Sequence, residues 1–343
     1  VQLARSGGQW RVVAAAARTL PADLPAEGQE RAKAQVLALR DLLDSSSFSG
    51  RRAVSGLPAS LVQYKNLRLP PMPPTELRTA VEWEASDRLK LGQNYQIQFF
   101  DAGEVRQGEE HRQEIILMAA GCDAVERHVE VLTECGLTPE AIDAAPAAMA
   151  RWAACGAAEE SQLVVDIGAA GAGVLICRAG RVGFFKRLEL GGRQMEEAIA
   201  RLMNTSATEA GRILQMRAAG TVADDSALVG SVRREGASQA INDAIRPIVT
   251  DLAREVGLCL RYHAVTFRGS RPQLCVLAGG CAGDPLLPQV LAQEAGVSLV
   301  PASAPFDWSR VSESMISQFP APSWAVALGL ALRHERAALK GAA

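Results

Sequence analysis

Asp166 closes an apolar run, Leu163-Val164-Val165, and opens the small-residue stretch Ile167-Gly168-Ala169-Ala170-Gly171-Ala172-Gly173. A carboxylate at the end of a buried strand can orient the water shell of Mg²⁺ bound through phosphates, and a tight turn of small residues can bring backbone N–H groups up to a phosphate. The glycines are ordered G-x-x-G-x-G, and the run after them, Val174-Leu175-Ile176-Cys177, has strand character. A dinucleotide fingerprint needs G-x-G-x-x-G followed by a helix whose N-terminus holds the pyrophosphate, so that reading fails on context. What remains is a hairpin turn able to cradle phosphate, with an ordinary Gly-rich turn as the plain alternative. Two Gly pairs stand at other element ends: Gly191-Gly192 ahead of a helix, and Gly279-Gly280, followed by Cys281, after the apolar run Leu274 to Ala278.

Other chemistries are poorly served. There is no G-x-S-x-G elbow and no G-x-x-x-x-G-K-[ST] loop, and the four histidines, His111, His128, His263 and His334, have no zinc-binding spacing. The seven cysteines never form a C-x-x-C pair and read as small buried hydrophobes of a reducing compartment. No residue presents itself as a general base, so efficient hydrolysis of a bound nucleotide is not expected. Lys and Arg total 36 against 38 Asp and Glu, a net charge of −2 that gives no broad attraction for nucleic acid or an anionic membrane surface. Runs such as Trp324 to Leu332 stop short of the ~18 apolar residues of a membrane span.

The chain of 343 residues is long enough for two domains of roughly 150 residues, each with its own core. Apolar periodicity predicts helices over Gln29 to Leu43, Glu76 to Leu89 with Thr75 as N-cap, Ala124 to Cys135, Arg193 to Met203, Ala237 to Val265 with a kink at Pro247, and Leu286 to Ala295. Ile142 to Ala157 reads as mostly helical. Strands are expected at Arg52 to Leu57, Tyr95 to Asp101, Glu114 to Ala120, Leu163 to Gly168, Val174 to Cys177, Val182 to Leu190, Leu274 to Ala278 and Ser298 to Val300. Lys65 to Pro74, with its four prolines, marks an edge strand entering a rigid loop. Val1 to Ala15 reads as a hairpin on the plan of Val174 to Phe185; if the two are equivalent, a strand and an Asp-x-Gly loop belong ahead of Val1.

An Asp-x-Gly hairpin, a Gly pair opening a helix, a helical insertion and an apolar strand into a second Gly pair follow one another as in the actin-like nucleotide-binding superfamily. Within it the chain resembles the PilM family of type IV pilus assembly. Leu67-Arg68-Leu69-Pro70, the helix carrying Glu82-Trp83-Glu84, Glu134-Cys135-Gly136-Leu137 with Ile142-Asp143, Leu277-Ala278-Gly279-Gly280-Cys281 and Ala327 to Arg333 are similar to family motifs in the family's order. The resemblance implies an α/β, actin-like (ribonuclease H-like) two-domain fold with a small α+β insertion in the first domain. The first subdomain would comprise 1–60, 138–162 and 320–343, the inserted module 61–137, the second subdomain 163–192 and 257–319, and a helical insertion 193–256.

The resemblance also implies ATP with Mg²⁺ as the cofactor, with Asp166 as the metal's water partner, Gly168, Gly191, Gly192, Gly279, Gly280 and Cys281 around the nucleotide, and Glu255 on the ribose or adenine. The sequence departs from ATP-binding members at telling places. Residues 169–173 carry no hydroxyl, Cys281 replaces the usual Gly or Ser, and Leu258 and Cys259 stand where an Arg and a Ser are expected, at ~1 to 3 kcal/mol for each lost contact. Weak or lost nucleotide binding follows. The implied role is a cytoplasmic scaffold that recognises the N-terminal tail of a PilN-like inner-membrane protein through a groove beside the inserted module. It would sit at the inner membrane through its partners only, with pilus motor ATPases and further copies of itself as additional partners. The alternatives are the cytoplasmic actin-like part of a type II secretion protein, an ATP-binding filament protein related to FtsA, and a small-molecule kinase of the same superfold, for which no catalytic Asp motif is evident.

Overall fold

The computed structural model describes residues 1–21, 24–25, 27–89, 94–107, 110–155, 161–220, 236–267, 271–301 and 306–333. β1 (Gln2–Ser6) and β2 (Gln9–Ala14) form the expected hairpin, closed by Gly7 and Gly8 at φ +58° and +85°. Positive φ at both central residues gives a turn whose twist suits the flanking strands. α1 (Gln29–Ser45) leads to β3 (Arg52–Gly56). The chain then departs through β4 (Val62–Leu69), α2 (Pro74–Arg88), β5 (Tyr95–Gln107) and β6 (Glu110–Gly121). It returns through α3 (Cys122–Glu134) to β7 (Thr138–Asp143), parallel to β3, and continues into α4 (Ala145–Ala154).

The second half runs β8 (Gln162–Ile167), β9 (Ala172–Arg178), β10 (Arg181–Leu188), α5 (Gly192–Met203), α6 (Ala207–Ala218), α7 (Ala237–Phe267), β11 (Leu274–Ala278), α8 (Leu286–Ala295) and β12 (Ser298–Val300). Its sheet has the order β10-β9-β8-β11-β12. β13 (Phe306–Asp307) then pairs with β2, and α9 (Glu313–Gln318) and α10 (Ala325–Ala331) bring the chain back to the first half. Leu163, Val165 and Ile167 face the core under α5, α7 and α8, whereas Val164 and Leu175 face Met149, Trp152 and Leu328 of α4 and α10. A strand buried on both faces reads as a continuous apolar run, which is why Leu163 to Ile167 stands out in the sequence.

Both halves follow one plan. The hairpin β1-β2 precedes the parallel pair β3-β7 as the hairpin β9-β10 precedes the parallel pair β11-β12. The strand and loop expected ahead of Val1 lie outside the described residues.

Packing moves several expected boundaries. The 61–137 module splits: Leu67, Leu69, Leu77, Val81, Ala85, Ile115 and Leu117 form a core of β4, α2 and β6, while Val131 and Cys135, at the end of α3, pack on Val36 of α1. α3 therefore belongs with the first half. The boundary at 256/257 falls inside α7, which runs unbroken through Pro247 and buries both Val256 and Gly257. α2 begins at Pro74 with Pro73 in the cap position and no side-chain cap, so Thr75 lies within the first turn; a proline there gives up only an N–H that has no helical partner. Ile142 and Asp143 are strand, not helix, because Thr138 to Asp143 pairs along β3. Residues 156–157 of the expected helix lie outside the described residues. α6 was not anticipated as a separate helix. No helix among the described residues is long and apolar enough to cross a membrane.

Candidate functional site

Asp166 leaves the cleft face of β8, the face shared with α4 and α10, and the turn after it folds back on itself: the Gly168 N–H donates to the Gly171 carbonyl at 3.0 Å. The two Gly pairs close around this turn. A Cβ at Gly191 would lie 2.6 Å from the Gly168 carbonyl oxygen, and one at Gly192 2.7 Å from the Cys281 sulfur. Gly279 adopts φ +91°, and a Cβ there would meet the Ile167 carbonyl at 2.5 Å and Asp166 Oδ1 at 2.6 Å. Cys281 donates its N–H to the Ile167 carbonyl at 3.1 Å. Asp166, Gly168, Gly191, Gly192, Gly279 and Cys281 thus form one cluster, with Gly280 beside it and open space where its side chain would be.

Glu255 does not join them. It lies on α7 and pairs with Lys186 of β10 at 2.8 Å; Lys186 is opposite Val174 of β9, so it projects from the sheet face away from Asp166. Leu258 is exposed on the same helix while Cys259 is buried in the core. The cluster is therefore built from strand ends and loops, and α7 stays outside it.

Its one carboxylate is perturbed by its surroundings. Burial pushes Asp166 up to about 6, and no hydrogen-bond partner for its carboxylate occurs among the described residues. No group of three or more His, Cys, Asp or Glu suited to a metal occurs among the described residues. A Mg²⁺ carried in on phosphates, keeping its waters, needs only one or two carboxylates, and Asp166 meets that requirement at its minimum. The N-terminus of α5 is already engaged, because Gly192 and Arg193 donate to the carbonyls of Gly168 and Ala169 at 2.9 and 2.8 Å. The N–H groups of Ala169 and Ala170, at the exposed tip of the turn, have no protein acceptor among the described residues. Over that tip lies a residue the sequence did not single out. Arg187 of β10 reaches within 3.4 Å of the Ala170 carbonyl and holds Glu189 with its other terminal nitrogen.

Two ion pairs hold the surroundings in place. Arg217 of α6 is bidentate on Asp284 at 2.8 and 3.2 Å, both essentially fully buried, and this fixes the segment that follows Gly279-Gly280. Arg68 of β4 contacts Glu114 of β6 at 2.9 Å and Thr266 of α7 at 2.9 Å, while Tyr262 of α7 donates to Glu114 at 2.9 Å.

A second concavity lies between the inserted sheet and the first half. It has a volume of about 470 Å³. Phe100, Met118 and Val62 of the sheet face Leu57, Val125 and Ile142, and Gln96 and Gln98 line the same side. Asp143 and Arg333 form its charged end, paired at 2.9 Å, with Asp143 also bound to Arg151 and to the Ala144 N–H.

A family model described as type IV pilus assembly protein PilM matches residues 1–335. Among solved structures, the chain is similar to a PilM-PilN type IV pilus biogenesis complex at 28% identity, over 97% of this chain and 94% of that one, with a TM-score of 0.75. It is also similar to the ethanolamine utilization protein EutJ from Carboxydothermus hydrogenoformans, at 19% identity over 60% of each chain and a TM-score of 0.43. MreB 5 of Spiroplasma citri bound to AMPPNP matches at 12% identity over 64% of this chain and 67% of that one, also with a TM-score of 0.43.

Proposed function

Because the chain belongs to the PilM family of type IV pilus assembly proteins and has its actin-like fold, we propose that it is a scaffold holding the cytoplasmic N-terminal tail of a PilN-like inner-membrane protein. The observation that carries this reading is the groove beside the inserted sheet. Aromatic and aliphatic side chains on two walls, with one charged pair at the end, suit an extended apolar peptide whose polar terminus or side chain meets Asp143 and Arg333. The link to the membrane then runs through the partner.

The Gly-lined cluster binds a nucleotide weakly or not at all in this reading. It keeps the shape of a phosphate cradle, which supports retained contact with a phosphate chain. The missing hydroxyls and the outlying Glu255 argue against a tight nucleoside grip. When bound, ATP with Mg²⁺ would supply a charged ligand bridging the two halves, and Asp166 would orient the metal's water.

Calorimetric titration with a synthetic tail peptide tests the scaffold reading. Gln98 is exposed on the groove wall, so Gln98→Arg should leave the fold intact and weaken binding by about tenfold or more, the equivalent of ~1.4 kcal/mol. Absence of binding at hundreds of micromolar peptide would overturn the assignment.

A further inference from the structure

Arg187 turns the Gly-rich turn from a bare backbone cradle into a charged one. In the sheet register Gly173 of β9 lies opposite both Asp166 of β8 and Arg187 of β10. Directly opposed residues of antiparallel strands project on the same face, so the carboxylate and the guanidinium both leave the sheet on the cleft side, flanking a residue with no side chain. The guanidinium then folds over the turn: its Nη2 is 3.4 Å from the Ala170 carbonyl and 3.3 Å from where a Cβ of Gly171 would be. Arg187 is mostly buried, with 19% of its side chain exposed, whereas its partner Glu189 is 78% exposed. An exposed carboxylate of that kind is a weak, exchangeable counter-ion.

We propose that Arg187 is the cation of a phosphate subsite on this turn, so that a di- or triphosphate chain is held by the guanidinium and the Ala169 and Ala170 N–H groups without Mg²⁺. This rests on the reading of the cluster as a phosphate cradle and specifies how it works. Arg presents a planar fork that matches phosphate oxygens, and a charge-assisted bond of this type replaces what a hydroxyl and a metal would otherwise contribute. The incoming phosphate displaces Glu189 and leaves Arg187 on the side of the turn it already occupies. Asp166, two strands away, is then not needed as a metal partner for the phosphate to bind.

The test is calorimetric titration of the whole chain with inorganic tripolyphosphate and with ATP, each in EDTA and in Mg²⁺. Arg187→Gln, Arg187→Lys, Glu189→Gln and Arg181→Gln are compared, and thermal melting confirms that each variant folds. Arg181 begins β10 at the end away from the turn and controls for general loss of charge. Tripolyphosphate binding in EDTA should weaken about tenfold or more in Arg187→Gln, survive in part in Arg187→Lys, tighten in Glu189→Gln and stay unchanged in Arg181→Gln. Binding that requires Mg²⁺, or that survives in Arg187→Gln, overturns the role of Arg187 and leaves the phosphate cradle standing. No binding of either ligand under any condition overturns both.

Discussion

Asp166 is held at a cost to the folded state. Its carboxyl ordinarily titrates near 3.8, and burial at the end of β8 pushes it up to about 6. The folded protein therefore holds that proton more tightly than the unfolded chain. The sign follows: above pH 6 the ionised, half-buried carboxylate destabilises the fold, and stability is regained as pH falls from about 6 toward 4. Two pKa units correspond to roughly 3 kcal/mol as an upper bound. Asp166→Asn should raise the melting temperature at pH 7.5 and remove this part of the pH dependence in denaturant titrations between pH 4 and 7. A variant less stable than wild type at pH 7.5 would show that the carboxylate is instead satisfied in the fold. At this scale the sequence was informative about glycines and silent about charge. Gly191, Gly192 and Gly279 are conspicuous as residues and turn out to be places where a Cβ would collide, and a Cβ at Gly168 would sit in a tight contact. Arg187 is one arginine among many until the register sets it opposite Gly173, and no local pattern carries that information. Glu255 shows the converse limit, since a position on a long helix does not say which strand that helix lies over, and here it lies beside Lys186 of β10.

At the scale of elements, the strands of the second sheet were legible because burial on both faces leaves an uninterrupted apolar run. α6 was not, because its buried apolar face is short (Ala210, Ile213, Leu214 and Ala218) and it is locked in place by a polar contact. Arg217 ends one face of this helix and grips Asp284, which in turn accepts the Leu286 N–H at 2.9 Å, and Arg217 Nη2 also donates to Asn242 Oδ1 of α7 at 2.7 Å. Gly283 permits the approach, since a Cβ there would lie 1.8 Å from the Ala218 carbonyl. Removing one member of a buried, hydrogen-bonded ion pair leaves the other charge desolvated, at about 3 to 5 kcal/mol. Arg217→Leu should therefore lower the urea midpoint sharply, and the double change Arg217→Leu with Asp284→Leu should be milder than the single one. If the two single variants simply add, the pair is not acting as a unit. The same contrast accounts for α3. Its amphipathic pattern announces a helix, but only the packing of Val131 and Cys135 on α1 shows that it belongs to the first half and not to the inserted sheet.

For the molecule as a whole, the question is how the groove beside the inserted sheet and the Gly-lined cluster are joined, because they lie in different halves. β6 carries both ends of the connection: Met118 lines the groove, and Glu114, four residues earlier and only 1% exposed, receives Arg68 and Tyr262. Tyr262 and Thr266 belong to α7, which covers the sheet that ends in the Gly-rich turn. The inserted module is thus bolted to the second half by a polar network whose central carboxylate has no access to water. Such networks stabilise only when complete, and Glu114 left without Arg68 becomes a buried unpaired charge. Arg68→Ala should cost about 3 kcal/mol or more, whereas Tyr262→Phe, which deletes one hydroxyl, should cost about 1 kcal/mol. The global measurement is accompanied by a local one. Hydrogen exchange in Arg68→Ala should accelerate in β4, β6 and the last turns of α7 while β8 and α4 keep their protection, because the break lies between modules and not inside either core. Uniform acceleration across the chain would mean that the network supports the fold generally and does not join two separately cored bodies.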